Sequence, residues 1–341
     1  WRPLAMRSRA RLRRSSSVGK SSDQIPMGAS LERGRRASGS ITGRRPLFEA
    51  RGRRAAPARG RGRSERLFAD ETTAPVLDPG RGRTKTGQLW AYARDDRPWG
   101  GGGPPMVAYI YAADRKGERP QAHLKDFRGF LQADAYAGYN KLYGNEIVEV
   151  ACWAHARRKF HDVYVDKGSR LAHEALDRIG ALYDVEAAIR GHAPADRRAV
   201  RQARAGPVLE EQRHWLDTTL SRVPGRSDLA AAIRYARSRW DQLCRYRDDG
   251  RLEIDNSAAE RALRGVALGR KNWLFAGSDQ GGQRAAAIYS LIETCKLNTI
   301  DPEAYLRHVL TVIADHPVNS VAELLPWNLR DKLADAAPSV D

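Results

Sequence analysis

The sequence predicts an α/β fold in which a strand-rich half comes first and an all-helical block is inserted late. Three observations predict it. β-rich runs separated by turn residues fill the chain from about residue 67, helical spacing takes over after about residue 155, and that spacing continues through 169–247 before two further helices.

Residues 67–77, 87–94 and 106–113 are rich in β-formers and are separated by Asp78-Pro79-Gly80 and by the Gly- and Pro-rich stretch 100–105. Connections this short predict an antiparallel meander, because parallel neighbours need a crossover. Residues 120–128 read as a short helix, 129–134 as a fourth strand and 136–143 as a helical turn. Residues 147–153 read as a fifth strand running into a basic helix over about 155–165. Beyond it, Leu171, Ala175, Leu176, Ile179 and Leu182 recur at helical spacing, as do Leu209, Trp215, Leu216 and Leu220, then Leu229, Ile233, Ala236 and Trp240. Pro207 and Pro224-Gly225 divide this stretch, and helices over 257–268 and 282–297 follow it.

Length and charge bound the function. The 341 residues allow about two domains. The net charge of +18 is uneven: residues 1–66 hold 19 Lys and Arg against 4 Asp and Glu, and the other 275 residues hold 40 against 37. The first segment, rich in Arg, Ser and Gly, cannot bury enough surface to offset its ordering entropy and reads as disordered, either a phosphate-gripping arm or a solvated tail. DNA binding therefore has to be argued from the nearly neutral remainder. No run approaches the roughly 18–20 apolar residues of a membrane span and no secretory h-region follows the basic start, so the expectation is a cytoplasmic protein with no membrane partner. Cys152, Cys244 and Cys295 are far apart, which predicts reduced thiols and neither a disulfide framework nor a cysteine-rich zinc site.

Three carboxylates stand at telling places: Asp70 in the first strand, Asp134 closing the fourth, and Glu260 on the first turn of the 257–268 helix. If the first and fourth strands are neighbours, Asp70 and Asp134 lie side by side and a helix packed on the sheet can bring Glu260 to them. Three hard oxygen ligands suit Mg²⁺ or Mn²⁺, and two such ions about 3.5–4 Å apart stabilise both oxygens of a phosphoryl transfer. Each acid also has a structural reading. Asp70 beside Glu71 can lie on the solvent face of an edge strand, Asp134 can open an Asx turn, and Glu260 can complete a Ser257-Ala258-Ala259-Glu260 capping box while pairing with Arg264.

The runs TKTGQLWAYARDDRPWG, DRKGERPQAHLKDFRGFLQADAYAGY, VACWAHARRKF, DDGRLEIDNSAAERALR and GRKNWLFAGSDQGGQRAAAIYSLIETCKLN, with DPEAYLRHVL and ELLPWNL near the end, resemble the transposases of bacterial insertion-sequence-66-type elements. The resemblance runs from about Leu67 to Leu329 with its motifs in order. It implies a DDE transposase with a ribonuclease H-like catalytic core and assigns Asp70, Asp134 and Glu260 as its catalytic acids and metal ligands. It further implies two divalent ions (Mg²⁺ or Mn²⁺), double-stranded DNA ends and target DNA as partners, and strand cleavage followed by strand transfer. On this basis 67–168 is the first part of the core, 169–248 a helical insertion, 249–300 the rest of the core and 301–341 a C-terminal helix and tail. A homo-oligomer on DNA and helper proteins of the same element are expected partners.

One departure stands out. Family members carry a longer N-terminal region with cysteines, whereas no cysteine here precedes Cys152 and residues 1–66 resemble nothing in the family. A misassigned or frameshifted 5′ end is the expectation that also accounts for Trp1.

Arg157 and Arg158 after the fifth strand, and Arg261, Arg264, Arg270 and Lys271 around Glu260, are the candidate DNA-backbone contacts, with surface solvation as the alternative. His155 reads more readily as a structural or phosphate-binding residue than as a metal ligand. Trp273 and Phe275 read as core in preference to a base-stacking pair. Two other functions stay open: an inactive remnant that only binds DNA, and a general metal-dependent nuclease.

Overall fold

The computed structural model of the chain describes residues 65–334. The basic segment up to residue 64, and with it the reading of disorder, lies outside the described residues, as does the end beyond residue 334.

Five strands form one sheet in the order β3-β2-β1-β4-β5. β1 (Glu65–Asp78), β2 (Arg83–Arg94) and β3 (Met106–Ala112) are the expected antiparallel meander, while β4 (Gly129–Ala133) and β5 (Ile147–Val150) continue on the other side of β1, parallel to it. The crossover from β3 to β4 contains α1 (Glu118–His123). β1 is therefore central, which corrects the edge-strand reading of Asp70. It also starts at Glu65, so Arg66 belongs to the sheet: its guanidinium is buried beside Asp96 at 3.3 Å and Glu253 at 3.8 Å. Pro75 is tolerated because β4 pairs with β1 only as far as Ala69; past that point the Pro75 carbonyl accepts from Ala276 N at 2.9 Å.

Side chains of a strand alternate between faces, and that alternation builds two layers. Phe68, Ala74 and Val76 of β1 pack with Leu89, Ala91 and Ala93 of β2 against Ala259, Ala262, Leu263 and Val266 of α8 (Ser257–Gly269) and Ala286 of α9 (Asp279–Leu297). Leu67, Ala69, Trp90, Tyr92, Leu131 and Ala133 turn the other way, onto Leu124, Phe127 and Tyr139. α9 starts at Asp279, earlier than expected, because Ser278 caps it by accepting from Gly281 N at 3.1 Å. Gly282 lets α9 approach the sheet: a Cβ there would lie 2.6 Å from the Tyr111 ring.

A third core joins Val150 to α2 (Trp153–Lys167), α3 (Arg170–Ala188), α5 (Gly206–Leu220), α6 (Asp228–Ser238) and α7 (Trp240–Cys244), with Trp153, Phe160, Ile179, Leu182, Leu216 and Ile233 fully buried. Pro207 does not break this block. α4 (Pro194–Val200) passes through a wide π turn, Arg201–Ala205, directly into α5, and Pro207 falls in the first turn of α5, where its missing N–H costs little. The π turn carries Arg201, fully buried, with Nε and Nη2 donating to Glu186 at 2.7 and 2.6 Å and further bonds to the Tyr246 and Leu252 carbonyls. Arg197 beside it donates to Glu253 at 2.8 Å, so a buried charge network ties the helical block to the segment leading into α8. α10 (Pro302–Val312) and α11 (Arg330–Ala334) close the described chain, with Tyr305 and Leu329 buried on Cys295.

Candidate active site

The strand register decides where the first two acids meet. β1 and β4 are parallel with Phe68 opposite Gln132 and Ala69 opposite Ala133, so Asp70 and Asp134 occupy the next position along. Phe68 faces α8, and by the same alternation so does Asp70. Asp134 has the strand parity of Gln132, whose Nε2 donates at 2.6 Å to the Glu253 carbonyl just ahead of α8.

Glu260 arrives on the first turn of α8, and an unforeseen residue sets that helix in place. Asn256, fully buried at the N-cap, donates from Nδ2 to the Ala69 carbonyl at 2.9 Å, one residue before Asp70. Its backbone N–H donates to Cys152 Sγ at 3.2 Å. The expected capping box does not form: Asp255 accepts from Ser257 N at 3.0 Å, and Glu260 turns to His155, with 3.7 Å between Oε1 and Nδ1, and not to Arg264. Only the Asp-Asn pair ahead of an apolar helix hinted at Asn256; the contact spans 187 residues of chain.

The electrostatics are those of crowded carboxylates. Burial pushes the Asp70 carboxyl up to about 7, Glu71, Asp134 and Glu260 add to the rise, and the Glu71 N–H, bonded at 2.8 Å, opposes it. Asp134 makes the Asx turn read for it as an alternative, accepting from Tyr136 N at 3.0 Å on Oδ1. Glu71 lies on the opposite face of β1 and is raised chiefly by burial; Arg115 pairs with it and stacks over Tyr136 at 4.1 Å, and Tyr139 donates to it at 3.3 Å. Asp70 thus feels the charges of Asp134 and Glu260 as well as Glu71, while the ligand atoms of Glu260 lie within 4.8 Å of those of Cys152 and His155.

The six basic residues read as DNA contacts differ in their surroundings. Arg157 and Arg158 are exposed on α2, and Arg264 and Lys271 are exposed on and just after α8. Arg261 leans toward Asp95 at 3.9 Å. Arg270 is held on β1, donating to the Thr73 carbonyl at 2.6 Å and its hydroxyl at 3.0 Å. Trp273 is half-buried, its Nε1 donating to the Tyr289 hydroxyl at 3.2 Å, and lies outside the packed cores, whereas Leu274 and Phe275 are exposed, so the core reading fails for Phe275 and is not met by Trp273. Among the described residues, no helix is long and apolar enough to cross a membrane.

Residues 61–284 match the Transposase IS66 family and residues 290–327 the IS66 C-terminal element. The chain is 42% identical over 275 residues to the uncharacterized protein y4qI of Sinorhizobium fredii, covering 78% of this chain and 51% of that protein. It is 41% identical over 281 residues to y4hP of the same organism, covering 77% and 50%. The chain spans about half the length of the curated relatives it matches. With that match running through the strands that carry Asp70 and Asp134 and the helix that carries Glu260, the chain belongs to the IS66 family of transposases.

Proposed function

We propose that this chain holds the catalytic part of a DDE transposase that cuts and rejoins DNA strands at the ends of its element, with Asp70, Asp134 and Glu260 as the metal-holding acids. The observation that carries the reading is the adjacent register of Asp70 and Asp134 on the face of the sheet against which α8 packs with Glu260. The sheet order, with an antiparallel meander followed by strands parallel to β1, is the layout expected of a ribonuclease H-like core. Two Mg²⁺ or Mn²⁺ ions held there would supply charge stabilisation for attack at phosphorus.

The chain's own residues have separate tasks in this reading. The acids hold charge at one point, Asn256 fixes α8 and so the place of Glu260, and Glu71 with Arg115 braces the opposite face of β1. Arg157, Arg158, Arg261, Arg264, Arg270 and Lys271 contact DNA phosphates, which orients the duplex without reading its sequence. A homo-oligomer holding two element ends, and helper proteins of the element, complete the assembly.

The test is metal-dependent nicking and strand joining on a duplex carrying an element end, with Asp134→Ala beside the unsubstituted chain. Loss of product in the variant with DNA binding retained is the expected result. Identical behaviour of the two proteins sinks the catalytic reading, and nicked product that never joins target DNA identifies a nuclease instead.

A further inference from the structure

Cys152 stands at the N-cap of α2 and His155 three residues later, so one turn of helix offers a sulfur and a nitrogen donor on the same side. Glu260 meets them from α8. Cys152 Sγ, a His155 ring nitrogen and a Glu260 carboxylate oxygen all lie within 4.8 Å of one another. His155 Nδ1 and Glu260 Oε1 are both shielded from solvent, and neither has a hydrogen-bond partner among the described residues. Their 3.7 Å separation is too long for a hydrogen bond and close to the roughly 3.4 Å between two ligands that sit about 2.1 Å from one tetrahedral ion.

The backbone N–H groups of Asn256 and His155 both point at Sγ, and it lies at the positive end of a 15-residue helix. Burial outweighs these and pushes the thiol up to about 12, with Asp255 and Glu260 adding to the rise. Asp255 is engaged elsewhere, accepting from Ser257 N at 3.0 Å and from the Tyr183 hydroxyl at 3.1 Å. A coordinated cation reverses the balance at the sulfur, because a metal-bound thiol loses its proton.

We propose that Cys152, His155 and Glu260 form a binding site for a borderline-soft divalent ion of the Zn²⁺ or Co²⁺ class, adjoining the Asp70–Asp134 pair and sharing Glu260 with it. One sulfur, one nitrogen and one oxygen donor are a set that zinc uses and that Mg²⁺, which demands an oxygen octahedron, does not. Three protein ligands leave a fourth position open, as in zinc sites that take a water or substrate oxygen. The sharing of Glu260 rests on the proposed function; the site itself does not.

The probe is Co²⁺ alone, titrated into the full, metal-free chain with a non-thiol reductant. The expected result is a thiolate-to-cobalt charge-transfer band in the near ultraviolet that saturates at one equivalent, with intense tetrahedral bands in the visible, both removed by Zn²⁺. Cys152→Ser should abolish the charge-transfer band, and His155→Asn or Glu260→Gln should weaken Co²⁺ binding at least about tenfold. Cys244→Ser and Asp134→Asn should leave the spectrum unchanged. Absence of the charge-transfer band from the unsubstituted chain overturns the proposal, whatever the folding of the variants, and so does its survival in Cys152→Ser. Neither result touches the strand-cleavage reading, whose own failure would leave the cobalt spectrum intact.

Discussion

Replacing Asn256 by alanine tests how the site is assembled. The side chain is fully buried and its Nδ2 bond to the Ala69 carbonyl, at 2.9 Å, is a direct tether between α8 and the residue before Asp70. Taking the donor away from a buried carbonyl costs about 1–3 kcal/mol. Asn256 Oδ1 has no partner to lose, and removing that orphaned acceptor offsets roughly 1 kcal/mol. The expected net loss is about 0–2 kcal/mol, or up to several degrees in Tm at roughly 2–4 °C per kcal/mol for a domain of this size. Glu260 sits one turn further along α8, so slack at the tether should also weaken Mn²⁺ binding by about 10–100-fold, the usual effect of losing a contact that orients a ligand. Urea unfolding reports the first quantity and calorimetric Mn²⁺ titration the second. A variant as stable as the parent to within about 0.5 kcal/mol, with unchanged Mn²⁺ affinity, refutes the tether.

Three further predictions concern charge. Because Asp70 is raised from 3.8 to about 7, the folded state holds this proton more tightly than the unfolded chain; the stability that comes with it is present below about pH 4 and lost as pH rises through 7. Metal-free protein should therefore gain urea resistance at pH 8 from Asp70→Asn and little at pH 4, and equal effects at both would contradict the burial argument. Arg201→Ala leaves Glu186 buried with only Arg197, at 3.4 Å, to face it, and should cost about 3–5 kcal/mol in chemical denaturation; a loss under about 1 kcal/mol would show that the network does not hold the helical block. Arg270→Ala should reduce the slope of log affinity against log salt for duplex DNA by about 1, and an unchanged slope would confine Arg270 to its bonds with Thr73.

Much of the fold was legible because period-2 and helical spacing are local. The meander, β4 and the helices of the third core announced themselves in residues such as Leu89, Leu131 and Ile179, all three now buried. Errors gathered where a long-range contact overrode a local signal. Ser257-x-x-Glu260 has the pattern of a capping box, but Glu260 is drawn to His155 across the sheet end, 105 positions away in sequence. Pro207 reads as a breaker, but the π turn ahead of it admits Arg201 into the core and lets the helix restart. β1 read as a possible edge because nothing in its own residues says that β4 returns parallel beside it.

By itself, the sequence determined which residues can do chemistry and which faces they share: alternation puts Asp70 with Phe68, and an i,i+3 step puts Cys152 with His155. Tertiary structure alone decided which of these sets meet. Register set Asp70 beside Asp134, the Asn256 tether placed Glu260 near them, and the same helix brought Glu260 to His155. Side-chain periodicity is fixed by backbone geometry within a few residues, whereas register and helix docking are fixed by burial and hydrogen bonds between segments 64 (Ala69 with Ala133) to 187 (Ala69 with Asn256) positions apart.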